Sequence, residues 1–313
     1  MTDITVLRAG ALGDVLLTLP ALHALRARFP DARLRVVGYP SLWRVVGPLV
    51  DSVSSIDAPS FGGLLAGDPA TNIPPVIAEA DIVIAWTARD LRPALSSVAA
   101  QLVTASPYPP PRVHAATWLL STLTPLGVSG PLFPNDVLGL AAGEKDSARR
   151  ELSAAGLQHS IVLHPGAGAA WKCWPIPSFA NLIAALQAQG RCIALLCGPA
   201  DEKAIADLQE RVPNPLPVIR QPDLRRLAAL LSESRAFVGH DSGTTHLATL
   251  AGVPVVALFG PTDPANWAPL GAGHVLRHCK ARAQAQGEIR VCHDPHCTEA
   301  IAVDEVVSAL GIV

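Results

Sequence analysis

Residues 237–248, FVGHDSGTTHLA, and 252–262, GVPVVALFGPT, constrain the fold more than any other part of the chain. They read as strand, tight polar turn, short helix and strand. Residues 236–238 are apolar and suit a strand, whereas the small and polar residues 239–243 favour a turn. Residues 244–251 have helical spacing, and Gly252 suits the position just past a helix end. A helix that opens directly from a strand-end loop presents unpaired N–H groups and a positive dipole end, a ready site for a phosphate or diphosphate. The same residues are equally compatible with an ordinary strand–turn–helix junction.

This unit recurs. Short apolar strands are expected at 4–9, 34–38, 52–56, 82–86 and 101–103, with helices ending near residue 29 and spanning 41–50 and 114–126. Pro20 lacks an N–H, so the first helix is expected either to kink there or to start late with Thr18 as its cap. Residues 60–75 are rich in Gly, Pro and polar residues and read as a surface loop. In the second half, strands at 161–163, 191–196 and 218–219 alternate with helices at 144–155, 178–189 and 223–233. Alternation of this kind predicts an α/β chain with parallel, doubly wound sheets. Turn signals crowd residues 127–139, so two domains meet there or just after it.

Length agrees, since 313 residues are enough for two ordinary cores. Only 16% of residues are charged, the net charge is −2, and no basic block is present, which argues against a nucleic-acid partner. The apolar run 15–25 is too short to cross a bilayer, so the chain is expected to be cytoplasmic, with at most peripheral membrane contact. In that compartment its six cysteines are expected to be reduced.

Candidate functional residues sit where ligands bind in such sheets, beyond the carboxyl ends of strands. Gly10 and Gly13 allow a sharp turn and close approach of a ligand, and Asp14 follows as either a helix-start carboxylate or a reactive group. Trp86, Arg89 and Arg92 leave the strand at 82–86. Lys172 follows a run of small residues in 164–175, HPGAGAAWKCWP, and could neutralise phosphate, while Trp171 and Trp174 are expected to pack that loop. Asp201 and Glu202 open a helix, where a carboxylate either partners the dipole or holds ribose hydroxyls. His164, His240 and His246 could each bond a phosphate or a backbone carbonyl. Cys279, Cys292, His293, His296 and Cys297 could chemically hold zinc, but their spacing is irregular and a reduced, partly buried cluster is the expectation.

Four segments together resemble the ADP-heptose:lipopolysaccharide heptosyltransferases, glycosyltransferase family nine. They are LRAGALGD at 7–14 with LPAL at 19–22, HPGAG at 164–168 with KCWP at 172–175, CGPADE at 197–202, and GHDSGTTHLA at 239–248 with FGPT at 259–262. The resemblance implies a GT-B fold of two Rossmann-like domains facing a central cleft. Residues 1–140 would bind the acceptor, 141–300 the nucleotide-sugar, and a helix in 301–313 would pack back toward the first domain. It implies inverting, metal-independent transfer of heptose or a related sugar to a lipopolysaccharide-core or similar glycan, with no cofactor beyond the nucleotide-sugar substrate. Asp14 matches the proposed base; Lys172, Asp241, Gly243, Thr244 and Thr245 match the diphosphate contacts; Asp201 or Glu202 matches the ribose acid. Gly10, Gly13, Arg89 and Arg92 fall on the acceptor side. Thr244 stands where Leu is frequent, and Ala169 and Ala170 stand where hydroxyl residues are common. A nucleotide-sugar epimerase or hydrolase of the same architecture, and a non-catalytic nucleotide-sugar-binding protein, are the competing readings.

Overall fold

The computed structural model describes residues 1–68, 72–98, 100–132, 136–220, 223–271, 273–277, 294 and 296–311. The chain splits into two compact units, Met1–Gly139 and Leu140–Val313, and the division falls at the end of the turn-rich stretch.

The first unit runs β1 (Asp3–Leu7), α1 (Leu12–Arg28), β2 (Arg33–Gly38), α2 (Pro40–Trp43), β3 (Ser52–Ser55) and α3 (Pro59–Ala66). It continues with α4 (Pro75–Ala78), β4 (Ile82–Trp86), α5 (Arg92–Leu95), β5 (Gln101–Ala105) and α6 (Ala115–Ser121). Its five strands are all parallel, in the order β3-β2-β1-β4-β5. Parallel strands covered on both faces need apolar side chains on both, and every residue of β4 is buried.

The second unit contains α7 (Ala142–Ala154), β6 (Ile161–Leu163), α8 (Ile176–Ala188), β7 (Ile193–Cys197), α9 (Glu202–Gln209), β8 (Val218–Arg220) and α10 (Leu224–Ser232). Then come β9 (Ala236–His240), α11 (Gly243–Leu250), β10 (Val255–Phe259), α12 (Pro264–Trp267), β11 (Gly273–Arg277) and α13 (Val303–Gly311). Six parallel strands lie in the order β11-β10-β9-β6-β7-β8. Val306, Ala309 and Leu310 of α13 are buried in the core that β6, β7, β9 and α8 share.

Several expectations are corrected. Residues 60–75 are not simply a loop: α3 buries Phe61 and Leu64, and Gly62 and Gly63 had masked an apolar helix. The segment 114–126 does not form one helix but breaks into α6 and a separate 3-10 turn at Thr124–Leu126, which carries Pro125. The first helix does not start late with Thr18 as its cap: α1 begins at Leu12 and runs through Pro20, and the Thr18 hydroxyl donates to the carbonyl of Asp14 at 2.7 Å. Trp86 is 1% exposed and its Nε1 donates to Thr122 Oγ1, so it is a core residue and not a ligand contact. No helix among the described residues is long and apolar enough to cross a membrane.

Candidate active site

In an open parallel sheet, ligands bind where the strand order reverses, because loops there diverge and leave a crevice. In the first sheet that point lies at β1 and β4. Arg8 leaves β1 and is buried, and its Nη2 donates to Asp14 Oδ1 at 2.9 Å. Asp14 is the third residue of α1, and its Oδ2 accepts the N–H of Ala11 at 2.9 Å. Each carboxylate oxygen keeps a further lone pair, and the side chain is 27% exposed. Burial pushes the Arg8 guanidinium below its ordinary range, and Asp14 opposes that shift. Gly10 has φ +138°, and a Cβ there would lie 2.7 Å from Asp14 Oδ2. Only glycine fits on both counts. Gly13 precedes Asp14 in the first turn. Arg89 and Arg92 are exposed, beyond β4 at the same edge of the sheet, and the Arg89 guanidinium lies against Gly67. Arg8, which the sequence offered only as part of a strand end, is the missing partner of Asp14.

In the second sheet the order reverses between β6 and β9. Residues 164–175 leave β6 and residues 241–243 leave β9, so the two most informative stretches of the sequence become neighbours. Lys172 Nζ bonds Asp241 Oδ2 at 2.5 Å and also reaches the Asp241 carbonyl at 3.4 Å. Both side chains are largely buried. Desolvating such a pair is costly, and it persists only with good geometry. Lys172 keeps a third N–H for a ligand, and Asp241 serves as its anchor, since a carboxylate itself repels phosphate. Beside the pair, α11 begins at Gly243. The N–H groups of Gly243 and Thr244 have no carbonyl within the helix to bond. Those of Thr245 and His246 turn back to Ser242. Thr244 and Thr245 are buried, and the Thr245 hydroxyl donates to the His240 carbonyl.

The structure separates the two acids at 201 and 202. Asp201 faces inward: Oδ2 accepts from His164 Nε2 at 2.9 Å and from the Gly198 N–H at 2.8 Å. Burial raises its pKa, but these bonds outweigh burial and hold it below the ordinary carboxylate range. A Cβ on Gly166 would fall 1.8 Å from Asp201 Oδ1, so glycine is required there. Glu202 is exposed and paired with Arg220. His240 is fully buried; Nδ1 donates to the Gly166 carbonyl at 3.0 Å and Nε2 accepts the Trp174 N–H at 2.7 Å. It is a structural histidine. His246 is buried within α11.

The Lys172 loop is braced from the C-terminal segment. Trp174 is buried, packs edge-on against Phe179, and donates from Nε1 to the Ile301 carbonyl at 3.0 Å. Thr298 Oγ1 donates to the Cys173 carbonyl at 2.9 Å. Trp174 thus packs the loop as its composition suggested, whereas Trp171 lies beside Lys172, with Nζ 5.3 Å from its ring centroid. Of the Cys/His set, Cys279, Cys292 and His293 lie outside the described residues. Cys297 is buried, with Sγ 3.4 Å from a Cβ built on Gly260, and His296 is exposed and bonded to Glu299. Among the described residues no three His, Cys, Asp or Glu side chains are grouped to hold a metal ion.

The chain is similar to known proteins in sequence and in fold. Residues 79–290 match the family model described as glycosyltransferase family 9 (heptosyltransferase). Lipopolysaccharide heptosyltransferase 3 of Escherichia coli K12 is 28% identical over 286 residues, 82% of each chain. The crystal structure of a family 9 glycosyltransferase from Veillonella parvula matches with TM-score 0.78 and 22% identity, covering 99% of this chain and 96% of that one. Escherichia coli heptosyltransferase WaaC, solved with ADP, matches with TM-score 0.70 and 18% identity over 99% of both chains. These likenesses show the GT-B fold.

Proposed function

The chain belongs to glycosyltransferase family 9, the heptosyltransferase family, and from that premise we propose that it transfers heptose or a related sugar from a nucleoside-diphosphate donor to a lipopolysaccharide-core or similar glycan. Transfer proceeds with inversion and without a metal ion. The observation that carries the reading is the largely buried Lys172–Asp241 pair beside the first turn of α11, at the switch point of the second sheet. A departing diphosphate needs its growing negative charge stabilised. Lys172 supplies a point charge, and the Gly243 and Thr244 amides supply oriented dipoles. That ADP sits in the solved WaaC supports an adenosine diphosphate donor.

Asp14 takes the proton from the acceptor hydroxyl as that oxygen attacks the anomeric carbon. The pair with Arg8 holds its carboxylate in one orientation. Glu202, the exposed acid of the two, meets the ribose hydroxyls, and Arg89 and Arg92 meet anionic groups of the acceptor. The reaction is cytoplasmic, and any membrane contact is peripheral.

Titration calorimetry with ADP tests the cradle. Lys172→Ala should weaken binding roughly tenfold to a hundredfold, the loss of one charge-assisted contact. An unchanged Kd removes Lys172 from donor binding. Undiminished turnover in EDTA is expected, and loss of activity restored by a divalent cation contradicts the metal-free reading.

A further inference from the structure

Under the diphosphate cradle, three loops are joined by one chain of hydrogen bonds whose members come from β6, β7 and α11. Asp201 can only accept, so His164 Nε2 carries the proton of their 2.9 Å bond. The other ring nitrogen, Nδ1, lies 2.9 Å from Thr244 Oγ1. In the uncharged ring Nδ1 accepts from that hydroxyl. Thr244 Oγ1 is also 2.9 Å from Ser242 Oγ, which lies 3.1 Å from Thr245 Oγ1. Asp201 is itself fixed by the Gly198 N–H and by the lack of any side chain at Gly166. His164, Asp201, Thr244 and Thr245 are all buried.

We propose that His164 is a positioning residue for donor binding: its ring transmits the fixed position of Asp201 to Thr244 and so holds the first turn of α11 with its amides aimed at the diphosphate. This rests on the reading of that turn as the donor cradle. A preorganised cradle binds more tightly because its groups need no reordering when the anion arrives. Here the ordering comes from the floor of the site, through a residue that need not touch the ligand. It also accounts for threonine at 244, since the Thr244 hydroxyl links the His164 ring to α11.

The two amide side chains dissect the ring. Asparagine places a polar atom near Nδ1 and keeps the Thr244 contact; glutamine reaches near Nε2 and keeps the Asp201 contact. Calorimetry with ADP, GDP and UDP is run on the wild type, His164→Asn, His164→Gln, Thr244→Val and the His164→Gln/Thr244→Val double variant, with the urea midpoint of each. His164→Gln and Thr244→Val should each weaken the bound nucleotide about fivefold, one net hydrogen bond. The double variant should bind no more weakly than either single, because both break one link. His164→Asn keeps Thr244 but releases Asp201, so it breaks the same chain at its other end and should weaken binding about as much as His164→Gln. Equal nucleotide affinity in the wild type, His164→Gln and Thr244→Val overturns the proposal, whatever happens to the urea midpoints. So does wild-type affinity in His164→Asn, which would mean that the contact with Asp201 transmits nothing. If the wild type binds none of the three nucleotides, the donor-cradle reading itself falls.

Discussion

Two neighbouring carboxylates, Asp201 and Glu202, look interchangeable in sequence but meet opposite environments, one turned into a buried hydrogen-bond chain and the other facing solvent beside Arg220. No local pattern distinguishes them, because burial is decided by where β7 ends relative to the β6 loop. The same holds for the histidines. His240 is the last residue of β9 and fully enclosed, and burial, opposed in part by its bond to Gly166, lowers its pKa to about 4. The folded protein therefore keeps His240 neutral between about pH 6.5 and pH 4, while the unfolded chain binds a proton there. Proton binding to the unfolded state alone favours unfolding, so this contribution is complete above pH 6.5 and is lost as pH falls toward 4. Over the whole window it amounts to about 3 kcal/mol. Urea denaturation at pH 7.5 and pH 5 should show the fall in the wild type and a shallower one in His240→Asn. Identical slopes would mean that His240 is not the group responsible.

At the scale of elements, the strands were the most legible, since apolar runs bounded by Gly and polar turns gave β4 and β6 their limits. Helices were less so where composition misled. Gly62 and Gly63 disguised α3, Pro125 cut one apparent helix into two pieces, and β11 went unread because Gly273–Arg277 is only partly apolar. Polar contacts between elements left no sequence signal at all. Arg225 grips Glu144 with two bonds, 2.6 and 2.8 Å, tying α10 to α7, while the same carboxylate accepts the Ala141 N–H that opens α7. Arg225 is the leading reason that the Glu144 pKa lies below its ordinary value. Glu144→Gln keeps an acceptor for the Ala141 N–H but loses the ion pair, and should lower stability by roughly 1 kcal/mol, the upper end for exposed pairs because the geometry is bidentate. The midpoint of urea unfolding measures this, and a value equal to wild type would show the link to be energetically idle.

At the scale of the whole molecule, the chain divides into two compact units. Each unit is a parallel α/β sheet of its own, and each gathers polar loops at the carboxyl edge where its strand order reverses. Asp14 and Lys172 were legible as candidates because glycine-rich turns after strands are where such chemistry is placed. Arg8 was not, and His164 was legible only as a possible partner of a phosphate or a backbone carbonyl, because the partners of both, Asp14 for one and Asp201 and Thr244 for the other, are fixed only by tertiary structure. If, as proposed, the first unit supplies the base and the second binds the donor, the two functions should separate in one variant. The direct test is Asp14→Asn, assayed for sugar transfer and, in parallel, for ADP affinity by calorimetry. Transfer should fall on the order of 10²- to 10⁴-fold, as for loss of a general base, while the ADP Kd stays at the wild-type value. Transfer at the wild-type rate, or a loss of ADP affinity matching the loss of rate, would contradict the account.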